Sequence, residues 1–510
     1  MKPFIRTKVI KGNEYLYEIT PFLDPDSGKW KQKTRYLGKN VNGEPVRRDK
    51  PGKPGQIFDL GQYIPAYWAV REYQISEVLL SGCSPEETNT LILLAINRLI
   101  APCPPANLQS WMSGTYLSRL FPGALSDPDE IRHLLESVSD RPVAEIFTQM
   151  FSLINKLSDK RVLMIIQNCN AHRAGGTNEC SLYADFLRHE IVLRILYDPV
   201  TKIPAGCEFF SFQRVVLDNS IQQISSGRIP GGVIVPYWDY MTPSLINQLI
   251  KSGCPFIIRP DIRYGPVSSF ISSWGVQTYH PANIRYYHGQ TCYIRSFNPV
   301  IDGVPIKGYI LHDIRKEQSD RVTFHKNLQN IRDYISESLY EKGIFYEGLT
   351  NAAGPYEDFF KVEETGGASI RKDEVAISAA MNRFGRSGVL YTGDYSWEEC
   401  FNLVDTRVEL EREISRCIGL FESDYQTLRI DRIRKGMYFV AFLTTLIRQL
   451  IINRLDTARI PNVSTFEALI TELTPIHVVK SYKPVIVPER LQREHKTILS
   501  FFGGLPQISG

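Results

Sequence analysis

The chain has 510 residues, with 59 Lys and Arg against 55 Asp and Glu, a formal net charge of +4 at pH 7. Hydrophobic residues at 43% and aromatic residues at 11% exclude a disordered or low-complexity chain, and the length predicts roughly two to four domains or large insertions. So small a charge excess excludes a polycation, and any affinity for nucleic acid must come from local clusters. The nine cysteines are scattered and form no Cys-x-x-Cys pair. That predicts reduced thiols and a cytoplasmic setting, not a disulfide framework or a zinc site. Met1-Lys2-Pro3-Phe4-Ile5-Arg6 carries no apolar run of the signal-peptide kind. The most apolar stretch, residues 437–452, contains Arg448 and is short for a bilayer span, so it predicts a buried core helix and no membrane partner.

In chain order, residues 1–40 form the first unit. Runs at 4–10, 15–20 and 30–37 alternate apolar or aromatic with polar residues, with turn chemistry at Lys11-Gly12-Asn13 and at 24–28, so two or three short strands are expected. Arg6, Lys8, Lys11, Lys29, Lys31, Lys33 and Arg35 make this sheet basic. Residues 41–57, around Arg47-Arg48-Asp49-Lys50-Pro51-Gly52-Lys53, read as a linker with no packing potential. Residues 58–158 read as an all-α domain. There Ser84-Pro85-Glu86-Glu87 combines a serine cap, proline at the first helical position and acids in the first turn.

From Arg161 the pattern changes to alternating strands and helices over 160–263. Strands are expected at 162–166, 190–197, 207–212, 233–235 and 256–259, with helices at 218–226 and 243–252. Residues 264–392 are too long for a loop and dense in aromatics, which predicts an inserted β-rich subdomain with a helix at 326–342. A long helix follows within 393–455, opened by Ser396-Trp397-Glu398-Glu399, and the tail at 456–510 alternates Pro-bounded strands with a helix. The segment Val404-Asp405-Thr406-Arg407-Val408-Glu409-Leu410-Glu411 lies in that long helix. Arg407 and Glu411 are four apart and share one face. Taken alone, such a pair is a surface ion pair worth a few tenths of a kcal/mol.

Three strands followed by a strand–helix–strand unit is the order of an RNase H-like core. Together with the opening strands ending in Arg35-Tyr36-Leu37-Gly38-Lys39, the residues from Thr242 to Arg259, and Lys435-Gly436-Met437-Tyr438, the chain resembles an insertion-sequence transposase of the DDE class. The branch is the one with a β-rich insertion before the glutamate. The resemblance implies an α/β fold: an RNase H-like mixed sheet with an inserted β-rich subdomain, preceded by a basic β-hairpin region and an all-α domain. It also implies double-stranded DNA of element ends as partner, a possible homodimer, and Mg²⁺ or Mn²⁺ held by two strand-end aspartates and one helical glutamate.

Departures from the family pattern fall on that triad. Glu411 stands at the glutamate, but Gln167 and Tyr237 stand where the aspartates are expected. Of the family's helical tyrosine, arginine, glutamate and lysine, the chain has Val404, Arg407, Glu411 and Ile418. Two-metal chemistry needs hard anionic oxygens around both ions, so replacing two aspartates predicts an impaired catalyst. A shifted register would bring Asp239 to the second position, with Asp218 or Asp185 near the first. Lys31, Lys33 and Arg35, with the cluster Arg429, Arg432, Arg434 and Lys435, are expected to contact DNA phosphates. Three readings stay open: an impaired transposase, a domesticated non-enzymatic DNA-binding protein, and an interaction scaffold. His172 and Cys180 lack further zinc-spaced ligands, and Gly231-Gly232 reads as a turn.

Overall fold

The computed structural model describes residues 4–10, 13–23, 29–41, 44–46, 57–167, 191–211, 213–237, 243–274, 278–342, 354–363, 369–422, 431–458, 460, 463–480, 484–487 and 491–506. Strands β1 (Phe4–Ile10), β2 (Asn13–Leu23), β3 (Trp30–Val41) and β4 (Glu44–Val46) form an antiparallel sheet in that order. A register shift between Leu16 and Tyr17 twists β2 against β3. β5 (Ile57–Asp59) pairs with β19 (His477–Lys480), which pairs in turn with β20 (Pro484–Val487), so the tail returns to the start of the helical unit.

The centre of the molecule is built from β6 (Val162–Gln167), β7 (Val192–Asp198), β8 (Ile203–Phe210), β9 (Val233–Val235) and β10 (Ile257–Ile258). β6, β7 and β8 pair antiparallel, β9 runs parallel beside β6, and a parallel bridge from Ile234 to Phe256 leads on to β10. Helices Gln213–Ser225 and Pro243–Ser252 make the crossovers. The spatial order is therefore β8-β7-β6-β9-β10.

Side chains alternate with the pleat. Val162, Met164, Ile166, Val233 and Val235 face one core, while Leu163, Ile165 and Ile234 face another lined by Val216, Leu217, Ile246 and Leu249 of the crossover helices. Each fully buried aliphatic side chain of this kind contributes about 1.5–3 kcal/mol. A one-residue slip would exchange the two sets, but both faces are apolar.

The interval expected as an inserted β-rich subdomain joins the edge of the core through its strands. Its strands β11 (Ile284–Tyr287), β12 (Gln290–Phe297), β15 (Lys307–Asp313) and β18 (Arg386–Tyr391) continue the central sheet, because β18 pairs with β10 and β15 pairs with β18. Between them lie the small pairs β13 (Val300–Ile301) with β14 (Val304–Pro305) and β16 (Phe360–Glu363) with β17 (Ser369–Lys372). The helix expected at 326–342 begins at Ile314, since the Asp313 carboxylate accepts from the amides of Arg315 and Lys316 and caps it. Phe324, Leu328 and Phe360, with Tyr356 and Phe384 against them, form a small cluster of their own.

Helices Pro85–Ile100, Pro128–Asp140 and Val143–Ile154 of the helical unit share one core with the central sheet. Ser84 caps its helix as expected, and Glu87 completes a capping box with it. The connection is the helix Asp431–Ala458, which packs on Pro85–Ile100, on Pro128–Asp140 and on β8. Gly436 is required there, because a Cβ would come within 2.2 Å of the Leu135 carbonyl oxygen. The segment Arg432–Ala458 has the length and apolarity of a membrane span, but 78% of its apolar window is buried in the protein interior.

Candidate functional site at the carboxyl ends of the parallel strands

The helix Trp397–Glu422 starts with a second capping box: the Ser396 hydroxyl accepts from the Glu399 amide, and the Glu399 carboxylate accepts from the Ser396 amide. It lies across the sheet against β6, β9, β10 and β18. Cys400, Val404, Leu410, Ile414 and Ile418 are buried in the core, so Val404 and Ile418 serve as packing groups.

Arg407 is on the same helix and only 6% exposed. Its Nη1 donates to Glu411 Oε2 at 2.8 Å, and its guanidinium lies over the Tyr237 ring, 5.1 Å from the centroid. The Arg407–Glu411 pair is therefore not a surface ion pair, since the two side chains are 8% and 15% exposed. Tyr237 follows β9 directly. Extending the register Met164–Val235 by two residues sets it beside Ile166, one residue from Gln167. Gln167 ends β6 with its backbone opposite Val192. Residues 407, 411 and 237 thus meet at one end of two adjacent parallel strands, near the backbone of residue 167. Asp239, Asp185 and Arg429 lie outside the described residues, as does the side chain of Gln167. Asp218 is on the Gln213–Ser225 helix, where its carboxylate accepts a hydrogen bond from Gln248.

The basic residues divide. Arg432, expected at DNA, is in an ion pair with Asp140 at 3.2 Å and joins the Asp431–Ala458 helix to the helical unit. Arg434 and Lys435 are half-buried beside it. Lys31, Lys33 and Arg35 are exposed on β3.

One turn back along the helix, Asp405 makes a network absent from the sequence reading. Its Oδ1 accepts from Arg259 Nη1 at 3.1 Å, and its Oδ2 accepts from the Tyr287 hydroxyl at 2.8 Å, with His288 Nε2 at 3.6 Å. Burial first, and then the neighbouring Asp405 charge, push the Tyr287 hydroxyl far above its ordinary pKa, so it stays protonated as a donor. This network ties the helix to the strand ends at β10 and β11. Aromatic density around Tyr286 and Tyr287 was the available signal. It could not reveal an aspartate more than a hundred residues later.

A cleft of about 1020 Å³ opens at the other end of the same strands. It is lined among others by Arg161, Val233, Thr406, Glu409 and Arg448. Comparison of the chain with protein-family models gives no match, and comparison with curated proteins gives none either.

Proposed function

We propose that the protein is a DNA-binding relative of the insertion-sequence transposases, with an RNase H-like core and a degenerate triad that leaves it impaired as a catalyst. The observation that carries this reading is the strand order β8-β7-β6-β9-β10 crossed by the helix of Arg407 and Glu411, with Arg407 against Tyr237 at the carboxyl end of β9. In such a core, that end is where metal-binding acids gather.

The described donors do not fit a two-metal centre. Glu411 already accepts from Arg407, and a divalent cation beside a buried guanidinium meets charge repulsion in a low-dielectric setting. Among the described residues no group of three or more His, Cys, Asp or Glu side chains is arranged to hold a metal. The residues instead form a buried ion pair capped by an aromatic ring, which holds the helix in register on the sheet. On this reading DNA contact is carried by exposed cations such as Lys31, Lys33 and Arg35, with Mg²⁺ or Mn²⁺ playing no part.

The experiment is a mobility-shift titration of the purified full chain on duplexes carrying the terminal repeats that flank its gene, at several salt concentrations. Binding should weaken steeply with salt and favour the repeat duplex over scrambled duplex. Failure to bind any duplex at low salt would leave only the interaction-scaffold reading.

A further inference from the structure

The register of the amino-terminal sheet sorts its charges. Opposed residues of an antiparallel pair point to the same face. One face therefore carries the rows Phe4–Ile19–Thr34, Arg6–Tyr17–Tyr36 and Lys8–Tyr15–Lys39, continued by Trp30. The other carries Ile5–Glu18–Arg35, Val9–Glu14, Thr20–Lys33 and Phe22–Lys31. Both glutamates of β1–β3 thus share a face with Lys31, Lys33 and Arg35, and Arg35 lies 3.8 Å from Glu18. Among the described residues of β1–β3, the first face holds Arg6, Lys8 and Lys39 and no acid.

The same face is aromatic. Tyr17 and Tyr36 have ring centroids 5.3 Å apart, Tyr15 and Tyr36 6.1 Å, and Lys8 Nζ lies 5.7 Å from the Tyr17 centroid. Trp30 is 62% and Tyr36 43% exposed. Solvent-facing rings gain from company when flat partners stack on them, and cations at two residues' spacing match a chain of phosphates. In a duplex the base faces are already stacked and unavailable, so phosphates alone would be met.

We infer that this tyrosine–lysine face binds single-stranded nucleic acid, with Tyr17, Tyr36 and Trp30 stacking unpaired bases and Arg6, Lys8 and Lys39 holding the backbone. The inference rests on the reading of the chain as a nucleic-acid protein, but not on any preference for element ends. The two can fail separately.

The test is fluorescence anisotropy of the full chain with a short labelled thymidine strand, its uridine counterpart, and a duplex of equal length. The thymidine strand should bind at least about 10-fold tighter than the duplex, and Tyr17→Ala with Tyr36→Ala should lose about 10-fold or more for the strand but little for the duplex. Tyr17→Phe, which keeps the ring, should retain strand binding, and Lys8→Glu should weaken it even if the alanine variant fails to fold. Equal binding of thymidine and uridine strands supports base stacking blind to the sugar, and unequal binding supports stacking with a sugar contact. Duplex binding equal to or tighter than strand binding, or a tyrosine variant that folds and binds the strand normally, would overturn the inference. If scrambled and repeat duplexes bind alike while the strand preference holds, the element-end reading fails and this one survives.

Discussion

The two ends of the parallel strands β6 and β9 have opposite characters. At the carboxyl end Arg407, Glu411 and Tyr237 are packed together, with the guanidinium buried between carboxylate and ring. At the amino end a cleft of about 1020 Å³ lies open, and several of its charges are already matched: Arg448 to Glu413 and Glu467, and Arg161 to Asp198. The open space and the packed Arg407–Glu411 pair therefore lie toward opposite ends of the same two strands. The proposed reading, binding without phosphodiester cleavage, rests on the closed end, where the one helical carboxylate is already held by a guanidinium.

The largest expected effect is at the closed end. Arg407→Ala leaves the Glu411 carboxylate buried without its guanidinium and should destabilise the fold by about 3–5 kcal/mol in urea titration. Arg407→Met with Glu411→Leu should recover most of that loss. A loss below about 1 kcal/mol for Arg407→Ala would mean that the pair is solvated like an exposed one.

The next effect is at the amino end, where Asp198 closes the turn after β7. Burial alone would raise its pKa. The Ser158 hydroxyl at 2.7 Å and the amides of Val200 at 2.9 Å and Ser158 at 2.8 Å outweigh burial, and the carboxyl sits below its ordinary value. Because the folded-state pKa is lowered, the stabilisation is full above the unfolded value of about 4 and is lost as pH falls through the folded value. Asp198→Asn should therefore cost about 1–3 kcal/mol at neutral pH, with the gap to the parent protein closing in acid. A gap that is unchanged between neutral pH and strong acid would show that charge is not the cause.

Tyr237→Leu should cost about 0.5–2 kcal/mol through loss of the ring beneath a desolvated guanidinium. The smallest effect belongs to the rim of the cleft. Glu467 pairs with Arg448 at 3.1 Å but is 71% exposed, so Glu467→Ala should change stability by at most about 1 kcal/mol and less at high salt. A reversed order for these two variants would erase the contrast between the ends.

Local patterns in the sequence carried well into three dimensions. The apolar run at residues 162–166, the serine caps at Ser84 and Ser396, and the Pro243–Ser252 helix each depend on neighbours within a few residues. Pairing across long separations was not legible. The β10–β18 contact joins Ile257 to Tyr391, and it fixes where the inserted strands meet the edge of the core. Arg432 was read as a DNA contact from its basic chain neighbours, and its ion pair with Asp140, 292 residues away, was not legible. The Arg407–Glu411 spacing was readable, but its burial was not, since that depends on the sheet beneath the helix. The two faces of the amino-terminal sheet were hidden for a similar reason: the bulge at Leu16–Tyr17 decides which cations share a face with Glu18.

The central claim, DNA binding without two-metal cleavage, is tested most directly by incubating the parent protein and its Glu411→Ala variant with repeat-bearing duplex in Mg²⁺ or Mn²⁺ and following strand breaks. Gln167→Asp with Tyr237→Asp serves as the gain-of-function arm. The account predicts no cleavage by either the parent or the alanine variant, at most weak nicking by the double aspartate variant, and duplex binding by the parent throughout. Robust cleavage by the parent that Glu411→Ala abolishes would contradict it.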